Sequence, residues 1–264
     1  TVATGVTIIN DLRFVTGASG GSIEGCKIYN LRIGNAVNQT FNGFTVKRCS
    51  IGNFWLGSDN VSTFESIVLT DNVFTDYVNI KDGYPNILIS RNIFAYMGSS
   101  NVFYCQGLLL KNNIIYSYYP IILSDFIGCV LENNIIIGVS GSSFNNIGIG
   151  SYNCQYIKNL FIPNVSSWGS NTNTNNIVNQ TAANTFVNAP GTTFSYSHNY
   201  HLLPTSPGKN YGTDGTDVGI YGTATPYKDG AVPFNPHIMT KNISSDLTPA
   251  GILNVSVTVS AQDN

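Results

Sequence analysis

The chain has 264 residues, enough to bury a substantial core in one domain or in a domain with a cap. Charged residues are only 10% of it, against roughly 25% in a typical soluble domain. With a formal charge of −2 and its 12 Lys and Arg thinly spread, it predicts no electrostatic partner and no nucleic-acid-binding stripe. No apolar run reaches the roughly 18 residues of a membrane span.

The opening Thr1-Val-Ala-Thr-Gly-Val carries no signal-peptide pattern, so processing or truncation upstream is expected. From there a template recurs: an apolar residue, two polar residues, Asn, any residue, an apolar residue. Degenerate copies come first, with Leu12, Leu31 and Cys49 in the Asn slot. Clear copies follow at Asn72, Asn92, Asn113, Asn134 and Asn159. The successive spacings are 19, 18, 23, 20, 21, 21 and 25 residues. Self-similarity at this period marks a solenoid.

Each unit holds short β-prone runs, as in Val102–Cys105, Leu108–Leu110 and Ile114–Tyr116. Such runs cannot stand alone, but each can stack on its counterpart in the next coil, and three stacked sheets would enclose a core. Helical repeats need longer units with a 3.6-residue period, which is absent. The expected fold is all-β: a right-handed parallel β-helix of about eight to nine coils. The Asn column reads as an internal hydrogen-bond ladder at a bend, because Asn tolerates the left-handed backbone that the bend requires.

Residues 1–190 are assigned to the helix, with a low-complexity lateral loop from 166. Residues 191–235, rich in Gly, Pro and Tyr, read as an irregular cap, since a bare solenoid end leaves unpaired strand edges. Residues 236–264 read as a terminal β-hairpin with one buried face, from the alternation of Val255, Val257 and Val259. The residue after each Asn forms another column: Val73, Ile93, Ile114, Ile135 and Leu160. If that column faces outward it needs a cover, and the hairpin is the obvious one.

Cys26, Cys129 and Cys154 are placed two residues before the first apolar template position, an inward slot elsewhere filled by Phe44, Ile67, Ile87 and Leu108. They read as small hydrophobes, with a Cys129–Cys154 bond conceivable on adjacent coils. Cys49, in the Asn slot, is expected to be buried too. The odd cysteine count gives neither a zinc motif nor a disulfide framework. His198, His201 and His237 read as structural or exposed. Asp214-Gly-Thr-Asp217 has some calcium-loop character but too few ligands, and two Asx turns are the favoured reading.

The Asn ladder, the coil length and the three-run unit resemble the right-handed parallel β-helix proteins of the pectate lyase-like superfamily. The stretch Asn199-Tyr-His-Leu-Leu-Pro-Thr-Ser-Pro207, with Gly212 to Gly222, resembles the closing segment of secreted bacterial members. The resemblance implies secretion or surface display, and substrate binding on the outer lip of the first strand. It does not choose among lyases, hydrolases, epimerases, adhesins and inert scaffolds.

Placed by the repeat, Glu65, Lys81, Asp82, Tyr104, Gln106, Asp125 and Tyr152 lie on that lip. Lys81 is the one cation placed there and would serve a lyase as base, with calcium held by Asp82, Glu65 or Asp125 if coils bring them together. A hydrolase would need two carboxylates roughly 5–9.5 Å apart. Asp82 and Asp125 are two coils, or about 10 Å, apart. Tyr77, Tyr84, Tyr104, Tyr119 and Tyr152 would suit the faces and hydroxyls of sugars, or simply fill half-exposed strand sites. The expectation is therefore a secreted or surface protein that binds an extended polysaccharide or cell-surface glycan, or serves as a display scaffold, without catalysis. The alternative is a lyase or hydrolase built on Lys81, Asp82 and Asp125. An ice-binding role ranks third, since flat Thr rows are missing.

Overall fold

Strands of two to eight residues, from Val73–Phe74 to Thr7–Phe14, find their partners only one layer away. The computed structural model describes residues 7–15, 17–34, 40–57, 63–80, 86–97, 102–103, 106–117, 126–139, 144, 147, 151–162, 164–231 and 237–260. In it the chain is a parallel β-solenoid with almost no helix, as expected.

The first sheet stacks Thr7–Phe14, Cys26–Ile33, Ser50–Leu56, Val73–Phe74, Ile93–Met97, Ile114–Ser117, Ile135–Gly138 and Leu160–Ile162 in chain order, all parallel. The second stacks eight strands from Ser22–Glu24 to Ser170–Thr174. The third side is shorter: Thr40–Asn42 pairs with Thr63–Glu65, and single bridges continue it from Gln106 through Ile127 to Tyr152. The regular solenoid amounts to about six turns, slightly fewer than expected. The outermost layers add strands to the two main sheets without a paired third side among the described residues.

Alternation decides the interior. Ile51, Phe74, Phe94, Ile115, Ile136 and Phe161 form one inward column, each at most 2% exposed. The Phe74 and Phe94 rings stack at 4.9 Å. Cys129 and Cys154 lie in the inward column with Phe44, Ile67, Ile87 and Leu108, and no disulfide joins them. A hydrogen bond from Cys129 is the main reason the Cys154 thiol is pulled down to about 7.

Two register expectations need correction. Cys26 belongs to the Asn slot and not to the inward column, because Lys27 pairs with Ser50 and Ser50 with Val73. The slot therefore runs Cys26, Cys49, Asn72, and Leu31 stacks on Phe54 instead. Ile28-Tyr-Asn-Leu31-Arg-Ile33 imitates the template five residues too late, and strand pairing overrides the imitation. The left-handed residue at the bend is also not the ladder Asn. It is the residue before it: Arg48, Asp71, Arg91, Asn112, Asn133 and Lys158 all have φ between +49° and +58°. The ladder Asn is selected for its amide alone.

Within the ladder each rung is the same. Asn92 Oδ1 accepts from both the backbone N and the Nδ2 of Asn72, at 2.9 and 3.0 Å, and Asn92 donates likewise to Asn113 Oδ1. The series continues through Asn134 and Asn159 to Asn176. The remaining Nδ2 proton of Asn72, Asn113 and Asn134 goes to a backbone carbonyl on a lower coil, Val46, Ile89 and Leu110 respectively. Every buried amide is thereby satisfied at each rung.

The column Val73, Ile93, Ile114, Ile135 and Leu160 does face outward, yet it is at most 5% exposed. Its cover is not the hairpin. Residues between Ala182 and Tyr227 lie along the first sheet and build a second core with Phe186, Tyr200, Leu202, Val218 and Ile220. Gly219 comes close enough that a Cβ there would meet Ile135 Cδ1 at 2.6 Å. Asn112 and Asn133, at the left-handed bend, clamp this segment: Asn112 Nδ2 donates to Gly219 O, and Asn133 Nδ2 donates to Thr213 Oγ1. The stretch read as an end cap is thus, in large part, a lateral cover. The hairpin, His237–Leu247 paired antiparallel with Leu253–Ser260, leaves its apolar side chains exposed.

Candidate functional site: a trough on the outer face of the first sheet

The outward positions of the first sheet divide along its length. Two residues after the covered column's register lies a second outward row: Tyr29, Gly52, Thr75 and Ala95, then, past a bulge, Tyr116. Three small residues in succession between tyrosines leave a depression in an otherwise filled face. Gly52 is required at its floor, since a Cβ there would meet the Tyr29 carbonyl oxygen at 2.6 Å.

The lateral cover ends beside this depression and forms its other wall. One hollow of about 820 Å³ is lined by Thr75, Ala95 and residues 193–197. A smaller one of about 180 Å³, lined by Lys27, Tyr29, Ser50 and Gly52, shares Thr75 and Tyr196 with it. Tyr196 stands between the two, its hydroxyl 2.9 Å from Ser50 Oγ.

The wall is stiffened from behind. The Phe194 ring stacks parallel to Tyr200 at 6.0 Å and meets Tyr196 edge-on at 4.8 Å. Tyr200 is held by the Ser195 backbone N donating to its hydroxyl at 3.0 Å, and burial raises its pKa. Ser195 and Ser197 hydroxyls pair at 2.8 Å on the trough side. Tyr29 and Tyr196 remain 47% and 55% exposed, so each presents an open ring. The lining is therefore hydroxyls and aromatic rings with one cation, Lys27, whose Nζ sits 5.3 Å from the Tyr29 ring.

Of the residues placed on the lip by the repeat, Gln106 and Tyr152 fall in one column, bridged through Ile127. Glu65 ends the strand that opens the same side, opposite Asn42. All three are exposed, one residue before a left-handed corner at Ser66, Gly107 or Asn153. They follow the edge of the rod layer by layer and do not line the trough. Lys81, Asp82, Tyr104 and Asp125 lie outside the described residues, as do Tyr84 and Tyr119. Tyr77 packs against Trp55 at 5.5 Å, and its hydroxyl accepts from Asn79 Nδ2.

The aspartates of the Gly-Thr loop are engaged internally. Asp214 Oδ1 accepts from the backbone N and hydroxyl of Thr216, which lowers its pKa, while Asp217 pairs with Lys209 at 2.8 Å. No group of three metal-ligating side chains occurs among the described residues. His201 stacks on Tyr221 at 3.7 Å, a packing role.

Nothing in the sequence joins Tyr196 to Tyr29, which lies far from it in the chain. The row Tyr29, Gly52, Thr75, Ala95 was nevertheless available as a signal, three small outward residues at coil spacing. Compared with known protein families, curated proteins and solved structures, the chain matches none.

Proposed function

We propose that this chain is a secreted or cell-surface β-helix protein of the pectate lyase-like type that binds an extended polysaccharide without cleaving it. The carrying observation is the trough between Tyr29 and Tyr196, floored by Gly52, Thr75 and Ala95. Open aromatic rings suit the apolar faces of sugars, and the serine, threonine and tyrosine hydroxyls around them suit sugar hydroxyls. An elongated chain fits an elongated depression running across successive layers. Hydrolysis calls for paired carboxylates, whereas the lining here is neutral apart from Lys27.

The test is titration calorimetry against a panel of linear neutral and acidic polysaccharides, with Tyr29→Ala and Tyr196→Ala beside the wild type. Binding to a neutral member, weakened at least tenfold by either change, supports the reading. A blank panel overturns it and leaves the display scaffold. The lyase or hydrolase alternative draws on the shared column of Gln106 and Tyr152. It would be established by release of unsaturated or reducing ends that Lys81→Ala or Asp125→Ala abolishes.

A further inference from the structure

The terminal hairpin is a ribbon with two unlike faces. Pairing of Ile238 with Val259, Ile243 with Val255 and Leu247 with Leu253 puts aliphatic side chains from both strands on one side. Together with Val257 these seven residues are each 46–64% exposed. The opposite side carries Asn242 paired with Ser256, and Asn254. A lone two-stranded ribbon is marginal in water, and one with an aliphatic face in solvent is worse.

The solenoid offers that face no seat along the covered column, because residues between Ala182 and Tyr227 already close it. We infer that the hairpin's apolar face is a self-association surface, occupied by the same face of a second copy of this chain. Three features favour a second copy over an unlike partner. The face is aliphatic on both strands, so a two-fold face-to-face packing is complementary to itself and yields a small four-stranded sandwich. At roughly 60–100 Å² of apolar surface per side chain, it offers about 400–700 Å² per copy, near the ~800 Å² per partner of a standard interface. Its only charge is Lys241, opposite Val257, which gives an unlike partner no charge pattern to read. The long stem of Lys241 lets its ammonium reach the rim of a packed pair.

This inference is independent of the trough. Its test is the mass of the full chain in solution by light scattering across concentration. Wild type is expected at twice the 28.5 kDa of one chain by concentrations on the order of 100 µM. Val255→Asp with Val257→Asp is expected at the single-chain mass, and Ser256→Asp, on the polar face, at the doubled mass. Should the charged pair unravel the ribbon, Val255→Thr with Val257→Thr keeps strand propensity and must shift the association midpoint at least tenfold in concentration. Wild type at the single-chain mass throughout, a charged pair that still doubles, or a threonine pair without a shift each overturns the proposal.

Discussion

Asn113 donates both its backbone N–H and its side-chain amide to a single atom, Oδ1 of Asn134, each at 2.9 Å. The same oxygen-to-two-donors contact, repeated up the rod, ties successive coils at the bend. It also means that no rung can be removed without orphaning groups on its neighbours.

Asn113→Ala is therefore expected to cost about 2–4 kcal/mol, since it strips the partner from two buried donors of Asn92 and leaves Asn134 Oδ1 with only the backbone N–H of residue 113. Asn176→Ala, at the half-exposed end of the ladder, should cost about half as much or less. Denaturant melts of the two variants decide the point. Equal losses would mean that the ladder is not cooperative.

The lateral cover hinges on close approach at Gly219, which has φ +89° and no room for a Cβ against Ile135. Gly219→Ala should lift the cover locally, costing about 1–3 kcal/mol. Limited proteolysis is expected to cut between residues 182 and 227 well before the solenoid. A variant as resistant as wild type would show that the cover is held elsewhere, at the Asn133–Thr213 clamp.

Thr75→Trp should fill the trough while sparing the fold, because the Thr75 side chain is exposed and points away from the interior. The melting midpoint should move little, within the ~0.5 kcal/mol typical of surface changes. Glycan binding should fall at least tenfold. Retained affinity would move the binding surface away from this face.

Alkali should weaken the fold in a defined window. Burial holds the Cys49 thiol at about 11 against an ordinary 9.0, and burial also raises Tyr116, Tyr156, Tyr221 and Tyr227 above 10.0. The unfolded chain releases these protons first, so the folded chain binds more of them and stability falls as pH rises. The Cys49 contribution is complete below about pH 9 and lost as pH climbs through 11. Melting midpoints are expected to rise between about pH 7 and 9, where the unfolded chain still holds the proton that folded Cys154 has released, and to decline above about 9, with a shallower early decline in Cys49→Ala. A flat profile to pH 11 would contradict the burial of these groups.

Much of the architecture was legible in the chain because a solenoid repeats its geometry. Asn72, Asn92, Asn113, Asn134 and Asn159 occupy equivalent positions and so leave an equivalent residue at near-constant spacing. The outward column after each Asn was visible for the same reason. At Ile28–Ile33 the periodicity misled, since a two-residue inward alternation can copy the template out of register and only pairing with Ser50–Leu56 corrects it. The backbone bend at Asp71 or Asn133 was assigned one residue late, because Asn is both the preferred left-handed residue and the preferred ladder residue.

By itself the sequence determined the stacking: identical short runs, apolar inward, with an amide at each bend, can satisfy their backbone only by lying on one another. What covers the outer face was decided in three dimensions. Residues between Ala182 and Tyr227 carry no repeat, and neither they nor Val255 and Val257 announce which apolar surface they meet. Burial of a one-sided face depends on contacts between segments far apart in the chain, so the lateral cover, the trough beside Tyr196 and the bare hairpin emerged only from the folded molecule.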